Sequence, residues 1–501
     1  MIKKLFLIIL LSQINILAWS QSSHYDFNNH CKMAYEKLLS LQLDSAGIFI
    51  QQEKTQNPNN LIPLLLANYR DFLTLVLSED KDLFEEIKER KKERLELWKQ
   101  GSTSSPWYLS GQAQIKLQWA FTRVLFDEYF TAATEINSAY HILEENKVLF
   151  PHFYGDNMGI GILHAMIGVF PDQYQWALDF LGLYGTISQG VDEMQQQLHD
   201  INDDPFAIED LFYYTFVRLN LQSDSIRYEE LLQLYGQEPF KKASKESPLL
   251  HFSKAVVLLK IDNDSAIAWL SHPPQQKDAL HFYYSDFLLG QALLYQLDPK
   301  SELYFKQYID DYQGRNYKKT ALQRLSWWYF INNDSSKYVS TMARIPHEKA
   351  AIFDSDKSAQ RESEAAEEGS YPNIYLLRSR LQFDGHYYQG ALDEINHMKH
   401  ESFDKETQLE YFYRKARIYH EMHHYKDAEK FYEETIAKGE NSSRYFAAKA
   451  ALKLGEIAEL NNNKTRAANY YEKVLELDFS EYRKGIRAKA KAGLQRVKTG
   501  R

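Results

Sequence analysis

His420-Glu421-Met422-His423-His424 has the spacing H-E-x-x-H. On one continuous helix that spacing puts two imidazoles on a shared face, where they can bind zinc while the glutamate polarises a water. The chemistry needs the helix to run through the whole motif, since a residue past the helix end leaves that face. The remaining reactive residue types form weaker patterns. Gly155, Gly159 and Gly161 are not followed by the Gly-Lys-Ser/Thr of a phosphate loop, so no lysine would reach a phosphate. There is no Gly-x-Ser-x-Gly elbow. Cys31 is the single cysteine and has no local context of a cysteine nucleophile. His397 and His400 stand three apart on a polar stretch and read as solvated surface.

The elements that would position these residues are helical. Glycine (21) and proline (13) are sparse for 501 residues, which favours helix over sheet. Apolar residues make up 44% and charged ones 25%, the composition of a folding chain. The net charge of −9 lacks the basic footprint of a nucleic-acid binder. Tyrosine (35) and phenylalanine (28) are abundant, as suits rings packed between stacked helices with phenol hydroxyls reaching water.

Residues 1–20 have the pattern of a secretory signal peptide. Lys3 and Lys4 precede a mostly apolar run, Leu5 to Leu17, and Ala18-Trp19-Ser20 offers small residues before a cut at Gln21. The expected product is exported and soluble, periplasmic or extracellular. It is not a lipoprotein, because Cys31 is too far from the cut to carry a lipid. No later run of apolar residues is long enough to span a bilayer.

Residues 21–149 read as N-terminal helical hairpins. Asn57-Pro58-Asn59-Asn60 stops one helix, and the charged run from Asp82 to Lys99 reads as a solvated helix face with i,i+4 pairs. Residues 150–202 are a glycine-rich helical segment, in which glycines let helices cross closely. Divergent hairpins follow over 203–345, a polar insert helix over 346–371, regular repeats over 372–479, and a basic capping helix over 480–501. In the cap, Ile486, Ala490, Leu494 and Val497 form the stripe that would cover the last repeat.

Within Gln408 to Phe479 one pattern occurs twice. Ala416, Tyr419, Ala428 and Tyr432 are matched by Gly455, Ala458, Ala467 and Tyr471, and the step between the small residues is twelve in both (416 to 428, 455 to 467). This resembles the tetratricopeptide repeat (TPR) fingerprint, in which small residues let two antiparallel helices touch. The same twelve-residue step pairs Lys254 with Ala266, Gly290 with Glu302, Ser326 with Tyr338 and Ser379 with Ala391. Further upstream, Gly159-Ile160-Gly161 to Phe170-Pro171, then Leu181-Gly182-Leu183-Tyr184-Gly185 and Gly190, resembles the central segment of the inclusion body clearance family of tetratricopeptide proteins. The resemblance implies an all-α fold, a TPR-like α-solenoid of helical hairpins with a C-terminal capping helix. In that register His420 is the twelfth repeat position and His424 the sixteenth, inside the turn, so the two imidazoles part and no metal site is expected.

Such scaffolds bind rather than catalyse, so the expected function is a non-enzymatic, cofactor-free scaffold for a protein or peptide partner. The alternatives are a zinc hydrolase built on His420 and His424, or a structural subunit of a cell-envelope assembly. The TPR positions that line the concave face carry over to Phe383 and Arg380 in one repeat, Tyr413, Arg417 and His420 in the next, and Glu456 in the third. Arg380 and Arg417 share a slot in adjacent repeats, and paired guanidiniums can hold a carboxylate in a fork. Tyr413 and Phe383 are expected as apolar walls.

Overall fold

A computed structural model describes residues 22–170, 175–199, 206–222, 226–349, 354–399 and 403–499. The leader expected over residues 1–20, the Asp203-Asp204-Pro205 junction and His400 lie outside the described residues. Among the described residues there is no strand, only an isolated bridge between His24 and Asn60. All the regular structure is helix, paired into hairpins, so the fold is the all-α, TPR-like class that the sequence implies. No described helix is long and apolar enough to cross a membrane. The chain divides into two compact units. One runs to Lys260 and includes Trp269–Ser285 and Tyr312–Gly314; the other comprises Ile261–Ala268, Asp286–Asp311 and Arg315 onward.

One local rule builds the hairpins of the second unit. Helix Lys405–Glu421 ends, Met422-His423-His424 turns the chain, and helix Tyr425–Gly439 returns along it. His423 sits in the left-handed region at φ 60°, seven residues after the small residue Ala416. That conformation lets His424 N–H donate to the carbonyl of Tyr419, at 2.9 Å, the bond that closes a Schellman helix end. The same step of seven recurs at Leu297, Asn333, His386 and Asn462, all with positive φ. In each, the next backbone N–H bonds the carbonyl five residues back: Asp298 to Leu293, Asp334 to Tyr329, Tyr387 to Gln382 and Asn463 to Ala458. The turn fixes where the second helix starts, and the small residue lets it come close. Ala416, Ala428, Ala391 and Ala467 are fully buried, and Ser379 Oγ donates across its hairpin to the carbonyl of Ala391 at 2.8 Å. A Cβ on Gly455 would stand 2.5 Å from the ring of Tyr471.

The pairing of Gly290 with Glu302 needs a correction of one residue. Glu302 turns outward, where it accepts from Tyr329 (3.0 Å) and Lys306 (2.7 Å), while Ser301 is the fully buried small residue of that helix. The capping helix Arg483–Thr499 buries Ile486, Ala490 and Val497 against Ala467, Tyr471 and Val474. Its cations bind the preceding repeat: Arg496 reaches Glu459 at 2.9 Å and Lys498 reaches Glu472 at 2.9 Å.

The first unit uses the same turn twice, at places where the sequence shows no obvious fingerprint. Leu41 (φ 56°) and Asp127 (φ 68°) follow Ala34 and Ala120 by seven, with Gln42 N–H to Lys37 and Glu128 N–H to Arg123 closing the helix ends. Twelve residues after each alanine stands another buried alanine, Ala46 and Ala132. Most charged residues of the run are exposed, as expected of a solvated face, but its pairing differs from expectation. The run breaks into Lys81–Ile87 and Arg90–Trp98, and its charges pair chiefly across helices. Arg94 meets Asp71 at 2.6 Å and Lys91 meets the buried Glu135. Trp98, at the end of that polar stretch, is fully buried.

The glycine-rich segment is a true helix crossing. Helices Asn157–Ile167 and Ile187–His199 touch where a Cβ on Gly190 would lie 2.3 Å from the carbonyl oxygen of Gly161. Backbone cannot yield as a flexible side chain can, so Gly190→Ala should destabilise the protein by about 3 kcal/mol, at the upper end for overpacking. His423→Gly should act in the opposite direction. It relieves an exposed non-glycine residue of its left-handed strain, for a net gain of about 0.5–1 kcal/mol after the entropy cost of glycine. Urea melts of the two variants check both signs.

Candidate functional site

The repeated register sets side chains of successive first helices in a row. Trp327, Arg380 and Arg417 each follow the small residue of their hairpin by one position (326, 379, 416). Arg324 and Arg414 precede it by two. The row alternates cation and ring. Trp327 is flanked by Arg324, 4.0 Å from its centroid, and Arg380, at 4.8 Å. The guanidinium of Arg417 lies 4.2 Å over Phe383 and 5.9 Å from Tyr413. Ser379, Arg380, Phe383, Arg414, Arg417 and Ile418 line one small depression.

The three arginines of this depression are differently satisfied. Arg414 is committed to Glu410, with Nε 2.6 Å from its carboxylate. Burial would raise the Glu410 pKa, but Arg414, Arg380 and Arg444 outweigh it and hold the carboxyl below its usual range. Arg380 is half-exposed and reaches Asp384 only at 3.8 Å. Arg417 has its face on a ring, and among the described residues no carboxylate comes within ion-pair distance of it. A guanidinium stacked in this way keeps its in-plane N–H donors for another acceptor. Cationic surplus continues beside it. Burial, then the neighbouring Arg417, Lys489 and Lys453, lower the pKa of Lys449. Burial, with Arg380 adding to it, does the same to Arg324.

The other expected positions have different surroundings. Tyr413 is 2% exposed, so it supports Arg417 from beneath and offers no open wall. Glu456 pairs with Lys453 at 2.6 Å. His420 is half-buried beside Tyr432, its Nδ1 3.3 Å from that hydroxyl; burial and then Lys453 lower its pKa. Arg414, Arg324 and Trp327 were legible by the slot argument that finds Arg417, had it been extended to the position two before the small residue and to the repeat of Ser326.

The H-E-x-x-H spacing does not stand on one helix. His420 occupies the last turn of Lys405–Glu421, His423 is the left-handed turn residue, and His424 caps the next helix. The two outer imidazoles face different rings: His420 approaches Tyr425 and Tyr432, and His424 stacks on Tyr419. Among the described residues no group of three or more His, Cys, Asp or Glu is placed to hold a metal ion.

No family model matches the chain, and no curated protein matches it either. Among solved structures, a chain from the crystal structure of the APC/C hetero-tetramer Cut9-Hcn1 matches at 11% identity, covering 98% of this chain and 98% of that one, with a TM-score of 0.23. The hairpins themselves define the class of this chain, a TPR-like helical-repeat protein. Dialysis against zinc followed by metal analysis should find no stoichiometric zinc that depends on His420 or His424. One equivalent that disappears in both His420→Ala and His424→Ala would contradict the turn geometry.

Proposed function

We propose that the protein is an exported, non-catalytic TPR-type scaffold whose second unit holds an acidic peptide segment of a protein partner along the Arg380–Arg417 row. The observation that carries this reading is Arg417, stacked on Phe383 and, among the described residues, with no carboxylate within ion-pair distance. A partner carboxylate would meet a pre-oriented donor fork there, with Arg380 one repeat away to take the next. Stacking lowers the entropy of ordering so long a side chain on binding. Phe383 gives the same site an apolar edge.

A short fluorescent Asp/Glu-rich peptide should bind in low salt and weaken as salt rises, while a Lys-rich peptide should not bind. Arg380→Ala with Arg417→Ala should reduce affinity at least about tenfold if two charged hydrogen bonds are lost. The double variant should melt within a few degrees of the parent, because the exposed pair to Asp384 contributes only about 0–1 kcal/mol. Equal affinity in parent and double variant would remove the groove assignment.

Export is the second part of the reading, supported by the pattern of residues 1–20. Intact mass of the protein recovered from its native host should correspond to a chain beginning at Gln21. A mass that still includes Lys3 and Lys4 would count against export by cleavage.

A further inference from the structure

The first unit holds a half-open cavity of about 80 Å³ whose lining includes Tyr69, Phe121, Met158, Phe206 and Tyr213. By the measure in which one water needs about 10–15 Å³, it has room for a small ligand head group of several atoms. Three carboxyls also line it, Asp156, Glu209 and Asp210, and no Lys, Arg or His does. Glu209 already accepts from phenol hydroxyls, Tyr69 at 2.8 Å and Tyr35. Asp156 differs from it. It is 4% exposed; Asn146 donates to its Oδ2 and the Ser110 side chain also supports the carboxyl, while its Oδ1 has no hydrogen-bond partner. The Oε1 of Gln114, another residue of the lining, is likewise buried without a partner.

Two orphaned acceptors in one apolar chamber call for a donor, since a buried polar atom left unpaired costs about 1–3 kcal/mol. The surplus of carboxyls calls for that donor to be positive, and aromatic walls favour a cation over a neutral group. We propose that this cavity is a binding site for a small primary alkylammonium group. Its N–H donors meet Asp156 Oδ1 and Gln114 Oε1, and its alkyl chain lies against Phe121, Met158 and Phe206. A quaternary ammonium lacks the N–H donors and fits less well. The absence of any basic residue from the lining leaves the charge of the site for the ligand to neutralise. Burial holds the Asp156 carboxyl up at about 6, which agrees with a carboxylate that has no cation of its own.

The test uses the full chain and n-propylammonium chloride as the probe, read by calorimetric titration and by the shift in melting temperature at pH 8. 1-Butanol is the neutral comparator and tetramethylammonium the comparator without N–H donors. Propylammonium should bind and raise the melting temperature, with both comparators weaker. Asp156→Asn keeps the side-chain volume and should weaken propylammonium at least about tenfold, the loss of one charge-assisted hydrogen bond. Gln114→Met removes the second acceptor and should weaken it too, so the proposal stays testable if one variant folds poorly. Equal stabilisation by 1-butanol and propylammonium would show a merely apolar cavity and overturn the proposal. So would propylammonium binding unchanged in a folded Asp156→Asn variant, or no binding by the parent.

Discussion

The structure depends on one backbone bond repeated along the chain. Seven residues after a small residue, the main chain enters the left-handed region, and the following N–H closes on the carbonyl five residues behind it. Leu41, Asp127, Leu297, Asn333, His386, His423 and Asn462 all occupy this place. Five of the seven are Asn, Asp or His, the non-glycine residues enriched in that conformation, and two are leucine. At Leu41 and Leu297 the turn is imposed by the hairpin and not chosen by the local residue. Buried contacts between the two helices hold each turn closed, and the small residues make those contacts possible. Where the chain needs still closer approach, as at Gly161 and Gly190, it dispenses with the side chain altogether.

Because the turn fixes the register, it also decides which residue types can act together. His420 and His424 are four apart in sequence, yet a helix end separates them. Arg380 and Arg417 are far apart in sequence, yet they follow equivalent small residues and line the same depression. Spacing along a chain has chemical meaning only within one element; across a turn, the repeat position replaces it. The same logic explains why the ladder alternates cation with ring. Trp327 shares its slot with the two arginines, and Phe383 lies on the turn of helix between Arg380 and the helix end, so stacking follows from the packing of successive first helices.

The all-α class and the hairpins from Ser379 onward were legible because small and aromatic residues recur there at fixed steps. The hairpins of Ala34 and Ala120 carry the same twelve-residue alanine step, but they lie far apart with unlike helices between them, so no period draws attention to them. Glu302 was misplaced by one residue because periodicity alone cannot tell a buried serine from its charged neighbour; the hydrogen bonds of Glu302 to Tyr329 and Lys306 decide it. The run from Asp82 to Lys99 is solvated over most of its charged residues, as its composition implies, but composition does not reveal a partner on another helix. Asp71 and Glu135 turn several of its cations inward. The burial of Tyr413 was hidden for a related reason, because a groove position in one repeat becomes a packing position when the next repeat presents Tyr445 and Phe446 to it.

Charge is handled by opposite means at two sites, the carboxyl-lined cavity of the first unit and the arginine row of the second. In the second, guanidiniums lie on ring faces, which supports the cation from one side and leaves its donor edge directed outward. In the first, carboxyls sit in an aromatic chamber and rely on hydroxyl and amide donors. Tyr35 and Tyr69 serve Glu209, while Ser110 and Asn146 serve Asp156 and leave its Oδ1 without a partner. A ring face attracts cations and not anions, so an aromatic wall stabilises the arginines that lie on it but does nothing for a carboxylate. Aromatic residues are plentiful in both units, and the sign of the charge placed among them decides the outcome: arginine is held ready for an anion, whereas a buried carboxylate stays costly until a donor reaches it.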